Sequence, residues 1–480
     1  MKLKELFSQI PVLEMHADPE TELSAVRYDS RKVAPGELFI AIRGFATDGH
    51  KYIPSAVQKG AALVVAEEAP SVPVPYVLVK DARRTLALLG AAWYGHPERD
   101  LRIVGVTGTN GKTTTTTLLK KVIEDCTGDT VGLIGTNQNM IGQTVLEADR
   151  TTPESFELYG LLAEMRDAGC RWLVMEVSSH ALVLDRVLGL HFESAVFTNL
   201  SRDHLDFHRT MEDYRDAKAM LFSRCDHAVV NIDDPAGETM LAQGAPHTLT
   251  YSADRDDADL TAKNIRLEPA GVRFEALMRS AICRVILHIP GKFSVYNALA
   301  VVGCGVSLGF SLDKIAESLY DAVGVKGRAE VVPTPTDYTV LIDYAHSPDS
   351  MENILRTVRG FCKGRIIGLF GCGGDRDRTK RPIMGRVAGE LADIALVTSD
   401  NPRSEDPLAI IREILPGLEG AKAQVVTEPD RIRAIHMALD MAAPNDVVLL
   451  MGKGHETYQE VNGEKHHMDE REIVAEHFAR

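Results

Sequence analysis

A stretch of small residues that ends in lysine and threonine carries the clearest chemistry of this sequence. It follows the apolar run Leu101–Val106 and precedes a segment of helical pattern, which is the order of a phosphate-binding loop. In such a loop, backbone N–H groups and the helix N-terminus attract phosphate oxygens, lysine adds a point charge, and a threonine hydroxyl can bind Mg²⁺. The sequence therefore predicts a nucleotide site formed by Gly108, Thr109, Asn110, Gly111, Lys112, Thr113 and Thr114.

One position departs from the usual pattern of this loop. A glycine commonly stands five residues before Gly111, where this chain has Val106. The alternative is a glycine-rich turn with an incidental Gly-Lys-Thr. The strand and helix patterns on either side of the loop weigh against that alternative.

Polar side chains farther along the chain suit a divalent cation beside a triphosphate. Glu176 follows the buried run Trp172–Met175 and could complete an Mg²⁺ shell with Thr113, although a capping or surface glutamate is the alternative. His204 and His208 are four residues apart, as in a zinc pair on a helix. Hard-cation chemistry favours a role for one imidazole, so we expect His208 to be structural. By residue type alone, Lys218 is expected to be a solvated helix lysine.

Apolar runs predict an α/β fold with three domains. Residues 1–98 have short strand candidates with helical patterns between them, which predicts a small α/β domain. Residues 99–327 alternate buried strands with helices, as in a mostly parallel sheet, and become antiparallel in pattern from about 246 to 290. Residues 328–480 form the third predicted domain, after a hinge-like Gly324–Arg328.

In the third domain, four strand runs each end in a polar cluster. Because ligands bind beyond the carboxyl ends of strands in open parallel sheets, we expect these clusters to share one site. Chance turn chemistry could explain one cluster but explains four together poorly. The clusters are Asp343–His346, Gly371–Arg376, Asp400–Arg403 and Gly452–Glu456.

Bulk properties exclude several classes of protein. The net charge is −15, without a basic stripe, so nucleic acid is not an expected partner. No run approaches the roughly 18 apolar residues of a membrane span, and the first residues lack a leader pattern, so we expect no membrane insertion and no export. Seven scattered cysteines without CxxC spacing fit a reduced cytoplasm.

Several motifs, in the order in which they occur, closely resemble those of the Mur ligases, and the resemblance covers essentially the whole chain. Within that family, Asp29–Arg31, Thr151–Pro153 and Asp400–Arg403 resemble the members that add meso-diaminopimelate to UDP-N-acetylmuramoyl-L-alanyl-D-glutamate. The motifs that carry the family resemblance are Gly108–Thr114, Glu176–His180, Thr198–Asp206, Tyr296–Asn297, Asp343–His346 and the C-terminal clusters.

The resemblance implies an N-terminal domain that grips UDP, a central ATPase and a Rossmann-like C-terminal domain that holds the incoming amino acid. It also implies that CO₂ carbamylates Lys218, because an ammonium would repel Mg²⁺ whereas a carbamate supplies an anionic oxygen ligand. The implied catalytic residues are Lys112, Glu176, His204 and Lys218, the implied metal ligands are Thr113, Glu176, His204 and Lys218, and the implied further ATP contacts are Asn297, Arg328 and Asp343.

Residues for the two other substrates follow from the same resemblance. The pattern departs from the best-known family pattern at Arg150, where asparagine is usual, and at Leu184, where glutamine is usual. The implied contacts of UDP-muramoyl dipeptide are Ser30, Phe45, Thr151, Thr152, Ser178 and Arg186. The implied contacts of diaminopimelate are Arg376, Asp400, Asn401, Pro402, Arg403, Gly452 and Glu456.

Arg403 decides the amino acid in this interpretation. Diaminopimelate differs from lysine by a second carboxylate, which a guanidinium can grip through two charge-assisted hydrogen bonds. Lysine would leave those donors unpaired, at a cost of about 1–3 kcal/mol. Without its flanking motif, Arg403 would be read as an ordinary surface arginine.

The implied reaction is ATP-dependent amide ligation through an acyl phosphate, in peptidoglycan precursor synthesis, by a cytoplasmic monomer. Two rival enzymes are a lysine-adding ligase and a folylpolyglutamate synthetase. Asp400–Arg403 argues against the first, and the UDP-type N-terminal domain argues against the second. A rival from another class is a nucleotide-binding switch that hydrolyses ATP slowly.

Overall fold

The computed structural model describes residues 1–44, 47–279, 281–322 and 324–479, apart from the side chain of Asp206. Its sheets confirm the predicted α/β class with three domains. The chain divides into two compact units, Met1–Leu249 and Thr250–Arg480. The predicted limits at 98/99 and 327/328 stay predictions. Among the described residues, no helix combines the length and apolarity needed to cross a membrane.

The N-terminal domain has a sheet with helices on both of its faces. Its elements are α1 (Leu3–Leu6), β1 (Glu14–His16), β2 (Val26–Arg27), β3 (Leu38–Ile40), α2 (Ile53–Gln58), β4 (Leu63–Ala66), β5 (Tyr76–Leu78) and α3 (Ala82–Trp93). The strand order is β1-β5-β4-β3-β2, and only the pairing of β1 with β5 is antiparallel. Alternate residues of β3 point to opposite faces, so Leu38 packs in the core beside α3 and Phe39 in the core beside α2.

The part of the central domain in the first unit is built around a parallel sheet. Its elements are β6 (Arg102–Thr107), α4 (Lys112–Thr127), β7 (Val131–Ile134), β8 (Asn139–Ile141), β9 (Thr144–Leu146), α5 (Ser155–Asp167), β10 (Trp172–Glu176), α6 (Ser179–Val183), β11 (Phe192–Phe197), α7 (Leu205–His208), α8 (Met211–Ala219), β12 (Cys225–Asn231) and α9 (Gly237–Leu241). The strand order is β12-β11-β6-β10-β7-β8-β9, in which the pairings of β7 with β8 and of β8 with β9 are antiparallel and the others are parallel.

The position of β6 between β10 and β11 places three strand ends side by side. Glu176 lies opposite Val106 in the register, and Phe197 lies opposite Thr107. The phosphate loop therefore starts between Glu176 and the Thr198–Asn199 segment. Strands β6 and β10 correspond to the apolar runs Leu101–Val106 and Trp172–Met175, whereas the short hairpin of β8 and β9 was not predicted.

The second unit begins with the strands and helices that follow the central sheet. They are β13 (His247–Ser252, which crosses the boundary between the units), β14 (Leu260–Glu268), β15 (Gly271–Met278), β16 (Ala281–Leu287), α10 (Lys292–Ser307) and α11 (Leu312–Tyr320). Strands β14, β15 and β16 pair in antiparallel order. The structure thus confirms antiparallel strands within the predicted range of about 246 to 290, and α10 and α11 follow them.

The C-terminal domain has a parallel sheet covered on both faces. Its elements are β17 (Glu330–Val332), β18 (Thr339–Asp343), α12 (Pro348–Arg359), β19 (Ile366–Phe370), α13 (Lys380–Leu391), β20 (Ile394–Val397), α14 (Pro407–Ile414), β21 (Gln424–Thr427), α15 (Arg431–Met441), β22 (Val447–Met451), β23 (Tyr458–Val461), β24 (Glu464–His467) and α16 (Glu470–Ala479). The order is β17-β18-β22-β19-β20-β21, with only β17 antiparallel, while β23 and β24 form a separate hairpin. The four predicted strands β18, β22, β19 and β20 are neighbours, so their polar loops leave the same edge.

Candidate active site

The phosphate loop is held in place by the strand end next to it. The backbone N–H of Asn110 donates to Asn199 Oδ1 at 2.9 Å, and the Thr198 hydroxyl donates to the Asn110 carbonyl at 2.7 Å. Gly108 has φ +149°, and a Cβ there would clash with the Thr198 hydroxyl. Gly111, at φ +86°, is the N-cap residue of α4. A side chain at Gly108 would therefore displace the loop that presents the helix N-terminus.

Lys112 lies over this loop. Its Nζ donates to the carbonyl of Gly108 at 2.8 Å and to that of Thr109 at 2.9 Å. Phosphate oxygens accept stronger, charge-assisted hydrogen bonds than neutral carbonyls do, so the ammonium can exchange these partners for a phosphate. Thr113 follows at the first turn of α4, and Thr114 is buried within the same helix.

The Glu176 carboxylate is buried and oriented by Thr136, a residue that the sequence analysis missed. Its Oε1 accepts from the Thr136 backbone N–H and its Oε2 from the Thr136 hydroxyl, both at 2.9 Å. The same hydroxyl lies 3.0 Å from Thr151 Oγ1. The signal was present, since Gly135–Asn137 is another polar segment that follows a buried strand.

The residues predicted to hold the peptidyl substrate gather beside Glu176. The Thr152 hydroxyl donates to the Glu176 carbonyl at 2.8 Å and accepts from the Ser178 N–H at 3.1 Å. Arg186 Nη1 donates to the Thr152 carbonyl at 3.1 Å. Four of the predicted residues, Thr151, Thr152, Ser178 and Arg186, thus lie around one strand end.

A second missed residue, Glu154, balances the positive charge of this group. Its buried carboxylate lies 3.4 Å from Arg83 Nη1, 3.4 Å from Arg186 Nε and 3.8 Å from Arg150 Nη1. Burial lowers the pKa of Arg186, and the charge of Glu154 acts against that effect. Arg150, one of the two departures from the family pattern, therefore joins an arginine cluster around one carboxylate.

The other residues considered for UDP-muramoyl dipeptide lie in different parts of the chain. Leu184, the other departure, caps the C-terminus of α6. The carbonyl of Ser30 accepts from Lys59 Nζ at 3.1 Å, within the N-terminal domain. Phe45 lies outside the described residues.

The structure corrects the expectation, from residue type alone, that Lys218 is solvated. The side chain is buried on α8, and its Nζ lies 4.3 Å from the centroid of the Tyr214 ring. Burial, reinforced by the charge of Lys112, holds the pKa of Lys218 well below its ordinary value. The Tyr214 hydroxyl lies 3.2 Å from Thr109 Oγ1, which connects Lys218 to the phosphate loop.

Three histidine rings, of His180, His204 and His208, lie in a cluster beside Tyr214. His204, half-exposed and at φ +52°, has its ring centroid 4.9 Å from that of His180. His208 is buried, and its Nε2 lies 2.8 Å from the Ser179 hydroxyl. Burial lowers the pKa of His208 to about 4, so the ring is neutral at pH 7. This placement suits the structural role predicted for His208.

The donor set fits Mg²⁺ in one specific mode. Among the described residues, no three His, Cys, Asp or Glu side chains could hold a metal by themselves. Magnesium often takes only one or two protein ligands and fills its shell with phosphate oxygens and water. Thr113 and Glu176 fit that mode, whereas Lys218 fits only after conversion to an anion.

In the second unit, the loops after β19 and β20 meet at Arg403. Arg403 Nη1 donates to the Gly374 carbonyl at 2.9 Å, and its Nε donates to Glu460 Oε2 at 3.1 Å. The Pro402 carbonyl lies so close to Gly374 that a Cβ at Gly374 would clash with it. The guanidinium is thus fixed between the glycine loop and strand β23.

The loop after β22 reaches the same place. Asn401 Nδ2 donates to Glu456 Oε2 at 3.0 Å. A Cβ at Gly452 would clash with the Asp400 carboxylate. Asp400, Asn401, Pro402, Arg403, Gly452 and Glu456 therefore lie together at one edge of the sheet, as predicted. Arg376 lies on the exposed part of the glycine loop and donates to the Asp375 carbonyl.

Comparison with known proteins assigns the whole arrangement to a family. Sequence profiles match the chain over residues 22–94 (Mur ligase family, catalytic domain), 106–305 (Mur ligase middle domain) and 327–454 (Mur ligase, glutamate ligase domain). The chain belongs to the Mur ligase family.

Relatives of this Mur ligase match it over nearly its whole length. The UDP-N-acetylmuramoyl-L-alanyl-D-glutamate--2,6-diaminopimelate ligase of Clostridium botulinum is 46% identical over 462 residues and 95% of each chain. The protein of that name from Clostridium tetani is 43% identical over 483 residues and 99% of each chain. A solved structure of the same name is 31% identical, with a TM-score of 0.74, and the match covers 100% of this chain and 99% of that one. These matches confirm the predicted family.

The second unit of this Mur ligase also holds the further residues predicted to contact ATP. Asp343 accepts backbone N–H groups from Ala329 and Ala345, each at 2.8 Å. Burial raises the pKa of the Asp343 carboxyl, although Arg328 acts against that effect. The Arg328 guanidinium lies 5.0 Å from the Tyr344 ring centroid, and its buried Nε has no hydrogen-bond partner within the described part of the chain.

Asn297 is buried on α10 of the same unit. The buried Nε of Arg328, which has no acceptor in the described part of the chain, suits a polar ligand. The assignment of Asn297, Arg328 and Asp343 to ATP stays a prediction.

Sequence reasoning missed Glu460 and gave no role to Lys453, although Lys453 lies within the predicted cluster Gly452–Glu456. Lys453 is buried, with Nζ 2.7 Å from Asn401 Oδ1 and 2.6 Å from Glu456 Oε2. Glu460 binds Arg403. The Gly-Lys-Gly context of Lys453 resembles an ordinary exposed turn, and nothing in the sequence paired Glu460 with Arg403.

Proposed function

We propose that this chain is an ATP-dependent amide ligase that adds meso-diaminopimelate to UDP-N-acetylmuramoyl-L-alanyl-D-glutamate in peptidoglycan precursor synthesis. The observation that carries the proposal is the guanidinium of Arg403, which is held in place at the strand edge by two hydrogen bonds. Relatives that match nearly the whole chain are named as diaminopimelate ligases. We also propose that the enzyme requires ATP and Mg²⁺ and that it acts as a monomer in the cytoplasm.

The first step activates the substrate acid. A carboxylate oxygen of the D-glutamate attacks the γ-phosphorus of ATP, the bond from phosphorus to the ADP oxygen breaks, and an acyl phosphate forms. The N–H groups of the phosphate loop and the Lys112 ammonium stabilise the negative charge that develops on the transferring oxygens. Thr151, Thr152, Ser178 and Arg186 hold the peptidyl portion beside Glu176, so that the acid lies at the strand end next to the loop.

Thr113 and Glu176 would hold Mg²⁺, with His204 as a further ligand implied by the family resemblance, and the ion would neutralise charge on the phosphate oxygens. Lys218 fits this set as a carbamate. Its burial and its connection to the loop through Tyr214 and Thr109 support that modification, because a neutral amine adds CO₂ whereas an ammonium has no lone pair.

The second step forms the amide. The amine of diaminopimelate attacks the carbonyl of the acyl phosphate, the bond from carbon to the phosphate oxygen breaks, and inorganic phosphate leaves. The nitrogen loses a proton and remains in the amide. No side-chain nucleophile is required, because phosphate already provides a good leaving group.

Recognition of the amino acid is assigned to the C-terminal strand edge. A guanidinium has five N–H donors, of which Arg403 uses one on Glu460 and one on Gly374. In the described part of the chain, Nη2 donates to no protein acceptor. The edge formed by Nη1 and Nη2 can therefore grip the distal carboxylate of diaminopimelate, while Asp400 and Glu456 accept from its amino groups.

An isotope experiment tests the chemistry. The acceptor acid is labelled with ¹⁸O in the carboxylate and incubated with ATP, Mg²⁺ and a mixture of diaminopimelate, lysine and glutamate. We expect one label in each released phosphate and a product whose mass corresponds to diaminopimelate addition. Unlabelled phosphate would exclude the acyl phosphate, a lysine or glutamate product would favour a rival ligase, and hydrolysis without any amide would favour a nucleotide switch.

A further inference from the structure

Lys453 has a buried ammonium in the proposed amino-acid site, and no step of the proposed reaction uses it directly. Its side chain is 0% exposed. Nζ lies 2.6 Å from Glu456 Oε2, 2.7 Å from Asn401 Oδ1 and 5.0 Å from the centroid of the Tyr458 ring. Removing an ammonium from water is costly unless charged and polar partners surround it. Lys453 therefore has a fixed position and fixed partners.

The first consequence is the orientation of the Asn401 side chain. Asn401 Oδ1 accepts from Lys453 Nζ and also from the backbone N–H of Glu460, at 2.9 Å. An amide oxygen between two donors fixes which end of the side chain is the nitrogen. Asn401 Nδ2 consequently points at Glu456.

The second consequence is the orientation of the Glu456 carboxylate. Its Oε2 accepts from both Lys453 Nζ and Asn401 Nδ2. Among the described residues, Oε1 accepts no hydrogen bond from a protein donor. One oxygen is therefore fixed by the protein, and the other remains an acceptor for a ligand.

Glu460 connects this acceptor to the Arg403 guanidinium. The backbone N–H of Glu460 binds Asn401, its carboxylate binds Arg403 Nε, and its carbonyl accepts from the Arg403 N–H at 3.1 Å. The Glu456 carboxylate and the Arg403 guanidinium are thus held by neighbouring residues, Asn401 and Glu460, that are hydrogen-bonded to each other. An amino group and a carboxylate on one carbon atom match that arrangement.

We propose that Lys453 is a positioning residue for recognition of the distal amino group of the diamino acid. It does not touch the substrate. It fixes Asn401 and Glu456, so that Glu456 Oε1 faces the ammonium on the carbon whose carboxylate Arg403 binds. The inference rests on the proposed function, since it presumes that diaminopimelate is the amino acid.

The test compares two substrates that differ only in that amino group. Diaminopimelate and 2-aminopimelate share the distal carboxylate, and only the first has the distal amine. For Lys453→Met we expect the preference for diaminopimelate, as a ratio of kcat/KM values, to fall by about 10-fold or more, the range of one hydrogen bond to a charged group. The KM for diaminopimelate rises, while the KM for ATP stays the same.

Lys120→Met is the matched control. Lys120 is also a buried lysine, paired with Glu124 at 2.5 Å on α4, but it has no part in the amino-acid site. We expect this variant to keep the preference of the wild-type enzyme. An equal loss of preference in both variants would show that the effect belongs to any buried lysine and would overturn the proposal.

A double-mutant cycle with Glu456→Gln separates positioning from a general structural role. If Lys453 acts through Glu456, the double variant loses no more preference than Glu456→Gln alone. Additive losses would overturn the proposal. The double variant also removes the partly buried negative charge at position 456, so it provides a folded protein if Lys453→Met alone unfolds.

Assays of the wild-type enzyme separate failure of the proposed function from failure of the role proposed for Lys453. Failure of the wild type to ligate diaminopimelate would refute the proposed function. Ligation by the wild type, with an unchanged preference in Lys453→Met, would refute only the role of Lys453.

Discussion

Replacement of Arg403 by alanine is the sharpest perturbation of the proposed amino-acid site. The substitution removes the Nη1 and Nη2 donors that are assigned to the distal carboxylate of diaminopimelate. A hydrogen bond to a charged group contributes about 1.5–3 kcal/mol. The loss of one such bond lowers kcat/KM for diaminopimelate by about 10- to 100-fold, and the loss of both lowers it further.

Stability is expected to change little in this variant. Glu460 loses its ion-pair partner, but its side chain is 27% exposed and stays in contact with water. Partly exposed ion pairs contribute about 0–1 kcal/mol, so the unfolding temperature should fall by only a few degrees. The kinetic effect can therefore be measured on folded protein.

The assay is amide formation with diaminopimelate and with lysine, each at several ATP concentrations. We expect the preference for diaminopimelate over lysine to collapse, because lysine never used the donors that are lost. The KM for ATP should not change. Arg412→Ala is the control, since Arg412 is an exposed arginine of the same domain that pairs with Asp406.

One result would refute the reasoning. If Arg403→Ala keeps the wild-type preference for diaminopimelate while its overall rate falls, another group recognises the distal carboxylate. Arg376, on the exposed part of the glycine loop, would then be the next residue to replace.

Three other perturbations have definite expected outcomes. Lys218→Ala should lose most activity, with partial recovery by small carboxylic acids but not by bicarbonate; full activity without additions would exclude a carbamate role. Arg381 lowers the pKa of Glu405 to about 2, so the stabilisation by the Glu405 carboxylate is complete above pH 4.5 and is lost as the pH falls towards 2. Acid unfolding of Arg381→Met should consequently show a weaker pH dependence between those values, and an unchanged profile would contradict this explanation. Gly374→Ala should raise the KM for diaminopimelate and not that for ATP, because its Cβ meets the Pro402 carbonyl; equal changes in both would indicate general unfolding.

Much of the fold could be predicted because buried strands of a parallel sheet are continuous apolar runs. The runs at β6, β10, β19 and β22 are buried along nearly their whole length. Short strands at a sheet edge or in a hairpin lack that signal. Strand β24 is exposed throughout, and no residue of β23 is fully buried, so their pairing could not be predicted from hydrophobicity.

The location of the C-terminal site was predictable for a topological reason. Carboxyl ends of parallel strands share one edge, so polar residues that follow such strands must lie together even when they are far apart in sequence. The prediction brought Asp400 and Gly452 together without knowledge of the strand order. It could not bring in Glu460, which reaches the site from a hairpin outside the sheet.

Burial of charged residues was the least predictable property, and two of the buried lysines, Lys218 and Lys453, show why. Lys218 lies on a helix and Lys453 in a glycine-flanked loop, and residue statistics place lysine in water in both settings. Lys218 packs against Tyr214, one turn earlier on α8, whose hydroxyl lies beside Thr109 of the phosphate loop. Lys453 is paired with Asn401, which reaches it from the loop after β20. A motif identifies which residues follow a strand, but only tertiary packing determines which ammonium loses its water. A buried lysine can then become an anion through carbamylation, as proposed for Lys218. It can also keep its positive charge and orient its neighbours, as proposed for Lys453.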